Sequence, residues 1–322
     1  MDGIIINQKK KASIRERYES AIDVFVSKAK EDPYVIAIIL GGSLAYYDVG
    51  QDSNLDTMII VKDTAESTHH RVHRVFTEDG ITIDAFVMKR DRFRRHCEGI
   101  IQGGQYHSFL SKAKILYTTD ESLREYIKDS NYFGSKDREI QLLNFYSGAF
   151  YNLYKARKFL YIIGDIYGSY SFYTQMIRYL AQIEVALEGI IPLREVIQQA
   201  LKLNPPFFEK VFIEASEMKK TKETMTEMIK TCEEYLDERM DIVYKPVLDY
   251  LAEVGEFRTH QEILEYLESM SGQRVPFLNL RELVRRGWVL DTVEEKRITD
   301  RSQPLMNEPA YLYDPSAVGG EE

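Results

Sequence analysis

A glycine-rich turn with polar residues shortly after it is the part of this 322-residue sequence best suited to chemistry. An apolar run ends directly in Gly41, Gly42 and Ser43, and Asn54 and Asp56 begin the next apolar run. Glycines let a ligand approach the backbone closely, and a helical turn after them would direct free N–H groups at the same point. The pattern predicts a phosphate-binding turn, to which the Ser43 hydroxyl would add a donor.

The acidic residues that follow predict a metal site beside this turn. Alternate residues of a strand share a face, so Asn54 and Asp56 are expected to project together. Asp84 lies within the apolar segment 81–87, where a carboxylate is costly unless it is paired or bound to a metal. Carboxylate oxygens on neighbouring strands suit Mg²⁺ beside a triphosphate, which makes Asp56 and Asp84 the expected metal ligands.

The elements that must position these residues follow from hydrophobic periodicity. Apolar residues at helical spacing predict a helix over 11–29, and a second helix is predicted over 66–77. The sequence also predicts buried strands and an edge strand, at 34–40, 55–61, 80–88 and 113–118. This first part of the chain therefore reads as a small mixed sheet with helices, spanning residues 1–130.

The remainder of the chain predicts two further domains. Residues 131–243 show helical periodicity throughout and concentrate aromatic residues, which indicates a helical bundle with a tyrosine-rich core. Residues 244–316 predict three short helices followed by two strands, 288–292 and 310–313, which is typical of a winged helix. The expected fold class is therefore α+β, with a mixed sheet, an α-helical bundle and a winged-helix-like module.

The glycine–serine turn, the motif Ser53-Asn54-Leu55-Asp56 and the later strand carboxylate together resemble the nucleotidyltransferase superfamily. This superfamily includes DNA polymerase beta and the aminoglycoside nucleotidyltransferases. The spacing is similar to that of the kanamycin-type and minimal bacterial members, and the resemblance covers residues 34–88.

The resemblance implies transfer of a nucleoside monophosphate from Mg²⁺-NTP to a hydroxyl group of a small, aminoglycoside-like molecule or of a macromolecule. Asp56 and Asp84 would hold Mg²⁺ and, with Asn54, form the catalytic set. The residues expected to contact the nucleotide are Gly41, Gly42, Ser43 and Ser53. The acceptor, the preferred nucleotide and the general base are not identified by the sequence, although Asp165, Glu184 and Glu188 in the bundle are candidate bases.

Asn54 departs from the superfamily pattern, because it stands at the position of the first metal carboxylate. A neutral amide is a poorer Mg²⁺ ligand than a carboxylate. Three interpretations remain open: an inactive homologue that still binds nucleotide, an enzyme that uses one metal or a substitute ligand such as Asp52 or Asp48, and an engineered replacement. The alternative function is a nucleotide-sensing regulator that acts without catalysis, through the winged helix, on DNA or a protein partner.

Composition restricts the class of protein further. The formal charge of −9 excludes a generally basic surface that coats nucleic acid, and the two cysteines exclude a disulfide framework. The apolar runs are too short to span a bilayer, so we expect a cytoplasmic protein without membrane contact. Local cations of the winged helix, among them Arg285 and Arg286, leave DNA, protein contact and a homodimer open. His69 and His73 on the predicted helix 66–77 form an i, i+4 pair that could bind zinc, although a solvated helix face is the favoured interpretation.

Overall fold

The computed structural model describes most of the chain, with gaps near both ends and in several loops. The described residues are 8–46, 50, 52–65, 71–98, 109–110, 112–129, 135–271, 275, 278–299, 301 and 303–313. The chain divides into two compact units, Met1–Tyr132 and Phe133–Glu322. Each unit is described by itself below.

The first unit is built on a mixed sheet whose described strands have the order β3-β4-β2-β1-β5. Strand β1 lies between β2 and β5, consists entirely of apolar residues and is buried along its length, as expected of a strand inside the sheet. Strands β2 and β4 are parallel, whereas the other neighbouring pairs are antiparallel. The strand bounds are β1 Val35–Leu40, β2 Leu55–Val61, β3 Arg71–Glu78, β4 Ile81–Lys89 and β5 Lys114–Thr118.

Helices cover both faces of this sheet. Helix α1, Gln8–Ala29, packs Tyr18, Ile22 and Phe25 against one face. The other face packs against Phe93 and Leu123, which lie on helices α3, Arg90–Glu98, and α4, Ser122–Asp129. The short helix α2, Gly42–Tyr46, directly follows β1. The predicted first helix, the buried strands and the edge strand at 113–118 are confirmed.

The helix predicted over 66–77 is wrong, because residues 71–78 form strand β3 instead. Strand β3 pairs antiparallel with β4 through a two-residue turn at Asp79 and Gly80, which both have positive φ angles of 48° and 71°. An Asp-Gly pair with two positive φ angles is a strong hairpin signal. The β3–β4 hydrogen bonds that this turn allows stabilise a strand here more than the weak helical periodicity favours a helix. His73 therefore lies on a strand, so the helical zinc pair is wrong, and His69 lies outside the described residues.

The second unit begins with a helical layer, as the sequence predicts. Helix α5, Ser135–Lys158, continues into a π-helical turn, π1, at Phe159–Ile163, and helix α6, Ile166–Leu187, packs back against α5. The chain continues through α7 Val196–Leu203, α8 Pro205–Phe208, π2 Glu209–Glu214, α9 Ala215–Glu217 and α10 Lys222–Asp237. Much of the aromatic content forms the core here, including the buried Tyr146 and Tyr173.

The C-terminal part combines helices with a small sheet that fits a wing. Its elements are α11 Met240–Val254, β6 Arg258–Thr259, α12 His260–Ser271, α13 Arg281–Arg285, β7 Leu290–Arg297 and β8 Leu305–Leu312. The described strands have the order β6-β8-β7, and β7 and β8 form a hairpin longer than the two strands predicted. One buried cluster spans the bundle and this part, with Tyr146 of α5 against Tyr244 of α11. The division at residues 243 and 244 stays a prediction.

The α+β fold class expected from the sequence is confirmed. Among the described residues, no helix is both long enough and apolar enough to cross a membrane.

Candidate functional site

The glycine turn predicted to bind phosphate leads from the end of β1 into helix α2. The Gly41 N–H donates to the Asp56 carbonyl oxygen at 2.9 Å, which extends the β1–β2 ladder into the turn. A Cβ atom added at Gly41 would lie 2.0 Å from Cε2 of Phe109, so this ring packs directly on the backbone. The sequence analysis did not single out Phe109, because its position depends on tertiary packing.

Gly42 brings the turn into contact with the first acidic residue. Its φ angle is +64°, a conformation that side-chain-bearing residues rarely adopt. A Cβ atom there would lie 2.2 Å from Oδ2 of Asp56 and 3.0 Å from its Cγ. The Asp56 carboxylate therefore lies against the Gly42 backbone, and only glycine leaves room for it. Ser43 lies in the first turn of α2.

Asp56 and Asp84 face each other across two parallel strands. They are direct partners in the β2–β4 register, which places both side chains on the same face of the sheet. The Asp84 side chain is 22% exposed. The adjacency that the sequence analysis predicted for these two residues is thus present.

Asn54 forms a hydrogen bond with one of the two carboxylates of the site. Its amide Nδ2 donates a hydrogen bond to Oδ2 of Asp84 at 2.8 Å. A carboxylate in the place of Asn54 could not donate this bond and would repel Asp84 instead. The amide therefore satisfies a strand carboxylate that would otherwise require a cation.

His73 is a site residue that the sequence analysis placed on a helix and did not connect with Asp84. Its Nε2 lies 3.2 Å from Oδ1 of Asp84, on the oxygen opposite the one that Asn54 occupies. The imidazole also packs on Phe86, with ring centroids 4.9 Å apart, and remains half exposed. The Asp79-Gly80 turn was the signal that could have found it, because that hairpin register brings His73 beside β4.

Ser53 is held by contacts within the first unit. Its Oγ accepts a hydrogen bond from the Gly50 N–H at 2.9 Å, and its carbonyl oxygen accepts one from the Tyr18 hydroxyl at 2.8 Å. Tyr18 lies on α1, and burial raises the pKa of its hydroxyl. These bonds tie the segment before β2 to helix α1 and thereby position Asn54. A role of Ser53 in nucleotide binding stays a prediction.

The residues present do not fit a site for two magnesium ions. Such a site needs three carboxylates, whereas this face of β2 and β4 offers Asp56 and Asp84, and both oxygens of Asp84 contact nitrogen atoms of Asn54 and His73. Over the described ranges, no group of three or more histidine, cysteine, aspartate or glutamate residues could hold a metal ion. Mg²⁺ ligation by Asp56 and Asp84 stays a prediction.

Asp165 and Glu184, two of the three candidate bases, have structural contacts in the second unit. Asp165 accepts a hydrogen bond from the Gly168 N–H at 2.8 Å and so caps helix α6. Glu184 accepts a hydrogen bond from the Tyr235 hydroxyl at 2.6 Å and lies 3.8 Å from Arg239. These contacts account for both carboxylates without an acceptor substrate.

Three cations that could contact DNA, at the end of α13 and on β7, are engaged with neighbouring carboxylates. Arg285 and Arg286 both pair with Glu282, at 2.6 and 3.1 Å. Lys296 on β7 lies 3.2 Å from Glu262 and 3.1 Å from a carboxylate on its own strand. These partners reduce the positive charge that the surface can offer to phosphate groups.

Comparison with known proteins supports the fold. No protein-family model and no curated protein matches the sequence. The structure resembles the crystal structure of a nucleotidyltransferase-like protein from Exiguobacterium sibiricum 255-15, with a TM-score of 0.61 and 16% sequence identity. The match covers 92% of this chain and 99% of the other. The chain thus has a nucleotidyltransferase-like fold.

Proposed function

We propose that this protein binds a nucleoside triphosphate in its nucleotidyltransferase-like first unit without transferring the nucleotidyl group. The observation that carries the proposal is the hydrogen bond from Asn54 Nδ2 to Asp84 Oδ2 at 2.8 Å. It occupies one oxygen of a carboxylate that a metal-dependent transfer would require. In this proposal Asn54 replaces a metal carboxylate of the superfamily pattern and has a role of its own as the hydrogen-bond donor to Asp84.

Nucleotide binding is supported by the geometry of the glycine turn. Gly42 has a positive φ angle, which forms the sharp turn after β1 at which a phosphate group would lie. The nucleotidyltransferase-like fold supports nucleotide binding at this turn. Gly41, Gly42 and Ser43 would contact the triphosphate.

Such a sensor would act by binding a protein partner, rather than DNA, through its C-terminal part. Arg285, Arg286 and Lys296 each have carboxylate partners within the protein, so DNA phosphates would have to displace these ion pairs. Phosphate neutralisation supplies most non-specific DNA affinity, and paired cations provide little of it. The winged-helix character of this part belongs to the same proposal.

A second candidate function is NMP transfer from Mg²⁺-NTP to the hydroxyl of an aminoglycoside-like molecule or a macromolecule. The observation in its favour is the direct pairing of Asp56 with Asp84 on one face of the sheet. This function requires that the contacts of Asp84 rearrange when the nucleotide binds.

One experiment separates these functions. Calorimetric titration with each of the four nucleoside triphosphates, with Mg²⁺ and with chelator, measures binding, and release of pyrophosphate measures transfer. Binding without pyrophosphate release supports the sensor, whereas pyrophosphate release above the protein-free rate supports the transferase. Absence of both would contradict both functions.

The matched variants are Ser43→Asp and Ser27→Asp. The first puts a carboxylate into the turn and should abolish nucleotide binding by charge repulsion. The second adds the same charge at an exposed position of α1 and should leave binding unchanged. Equal affinity in the two variants would show that the nucleotide binds elsewhere.

A further inference from the structure

A cavity of about 320 Å³ opens on the second unit, near the C-terminal end of α5. The aromatic side chains of Tyr146, Phe150, Tyr154 and Tyr161 line it, together with aliphatic side chains of α5 and α10. Its volume lies at the lower end of the range for small-molecule sites, which are commonly lined by apolar and aromatic groups. A ligand with one or two fused rings fits this size.

Part of the cavity wall is the π-helical turn π1. Tyr161 and Ile162 lie on this turn, and they are 46% and 79% exposed. The Asp165 N–H donates to the Phe159 carbonyl oxygen at 2.9 Å, and Gly164 ends the turn in the left-handed conformation. π-helical turns are rare and occur frequently at functional sites. Here the turn exposes the large side chains of Tyr161 and Ile162 to water, and the ring of a bound ligand could cover them.

One lysine differs from the other charged residues of the cavity wall. Lys158 lines the cavity and makes no ion pair within the part of the chain that the structure describes. By contrast, each carboxylate of the cavity is paired with an arginine; the pairs are Arg157–Glu233, Arg285–Glu282 and Arg286–Asp237, at 2.5 to 2.6 Å. Arg286 lies outside the lining, and Lys158 is the lining cation left to pair with a ligand.

Tyr146 adds a hydroxyl group to the lining of the same cavity. Its side chain is 1% exposed, and its ring packs edge-on against Tyr244. Burial raises the pKa of this hydroxyl, so it keeps its proton at neutral pH.

We propose that this cavity binds a small aromatic anion, in which one or two fused rings carry a single carboxylate or phosphate group. The rings would stack among the tyrosine side chains, where offset and edge-on contacts are favourable. The anionic group would pair with the Lys158 ammonium. This site is independent of the nucleotide turn, because all its lining residues belong to the second unit.

Calorimetry of the full chain with three related probes tests the ligand class. Naphthoate and naphthyl phosphate carry the two candidate anionic groups, and naphthalenemethanol is the uncharged counterpart. We expect at least one anion to bind about tenfold more tightly than the alcohol, because a hydrogen-bonded charge contributes about that factor. The tighter of the two anions identifies the carboxylate or the phosphate as the natural group. Equal affinity for the alcohol, or absence of binding by both anions, would overturn the proposal.

Two lysines of α5 provide a matched pair of variants. Lys158→Gln removes the cavity's unpaired charge and should weaken anion binding about tenfold while leaving the alcohol unchanged. Lys155→Gln removes a charge from the same helix, where the ammonium lies over the Tyr151 ring and outside the cavity, and should have no effect. Tyr154→Ala, at a half-exposed position, should weaken all three probes without unfolding the protein. An equal loss of anion affinity in the two lysine variants would contradict the assignment.

Discussion

Replacement of Asn54 by aspartate should remove the hydrogen bond that satisfies Asp84 and make the stability of the protein depend on a bound cation. The Asn54→Asp variant loses the hydrogen bond to Asp84 Oδ2 and places a second carboxylate where the amide now lies. A hydrogen bond to a charged group contributes about 1.5 kcal/mol at the lower end of its range, which suits the exposed Asn54. Repulsion between two carboxylates about 4 Å apart adds roughly 1 kcal/mol at the dielectric constant of water. The total destabilisation is therefore about 2 to 3 kcal/mol.

The assay is thermal unfolding of the wild type, Asn54→Asp and Asn54→Ala, each with chelator and with millimolar MgCl₂. Destabilisation of this size should lower the melting temperature of the aspartate variant by roughly 5 °C in chelator. Asn54→Ala is the control, since it loses the hydrogen bond without gaining a charge and should show about half of the effect. The aspartate variant alone should recover in MgCl₂, because three carboxylates would then surround the ion.

Two outcomes would refute this reasoning. If the aspartate and alanine variants were equally stable in chelator, the carboxylates of residues 54 and 84 would not lie close together. If MgCl₂ raised the melting temperature of the wild type as much as that of the aspartate variant, Asn54 would not prevent metal binding. A recovery specific to the aspartate variant would also justify an assay for pyrophosphate release with that protein.

Two further perturbations test the geometry around the site. Gly42→Ala should lower the free energy of unfolding, measured by chemical denaturation, by about 2 to 3 kcal/mol. The added Cβ atom would lie 2.2 Å from the Asp56 carboxylate, and the backbone there has a left-handed conformation. The control Gly80→Ala, at φ +71° with its nearest atom 3.6 Å away, should cost only about 1 kcal/mol, and equal losses would refute the predicted clash. Asp120→Asn should cost about 1 kcal/mol at neutral pH, because the hydrogen bond from Arg90 holds the pKa of this partly exposed carboxyl below its ordinary value of 3.8. Because the pKa of Asp120 is lower in the folded state, the ion pair stabilises the fold above that value and loses its effect in acid. The free energies of unfolding of the wild type and the variant should therefore converge as the pH falls. A difference that stays constant with pH would contradict the Arg90–Asp120 pair.

The sequence alone was sufficient for the features that depend on local pattern. The apolar run of β1 indicates a buried strand, and the glycines after it indicate a sharp turn. Alternation along one strand also indicates that Asn54 and Asp56 project together, because a strand repeats every two residues. These inferences need no knowledge of distant contacts.

Tertiary structure decided which groups actually meet at the site. Helical periodicity over 66–77 was too weak to compete with pairing to β4, which brings His73 to within 3.2 Å of Asp84. Phe109 reaches Gly41 from far along the chain, and the Tyr18 hydroxyl reaches Ser53 from helix α1. Such contacts depend on register and packing, which are properties of the folded chain as a whole.

Asn54 shows the division between the two levels most clearly. The sequence identifies it as an amide where the resemblance implies a carboxylate, and it leaves inactivity, one-metal catalysis and replacement open. The folded chain brings its Nδ2 to 2.8 Å from Asp84 and thereby offers a chemical role for the amide. Residue type determines what a side chain can donate, whereas only the register of neighbouring strands determines the acceptor that receives it.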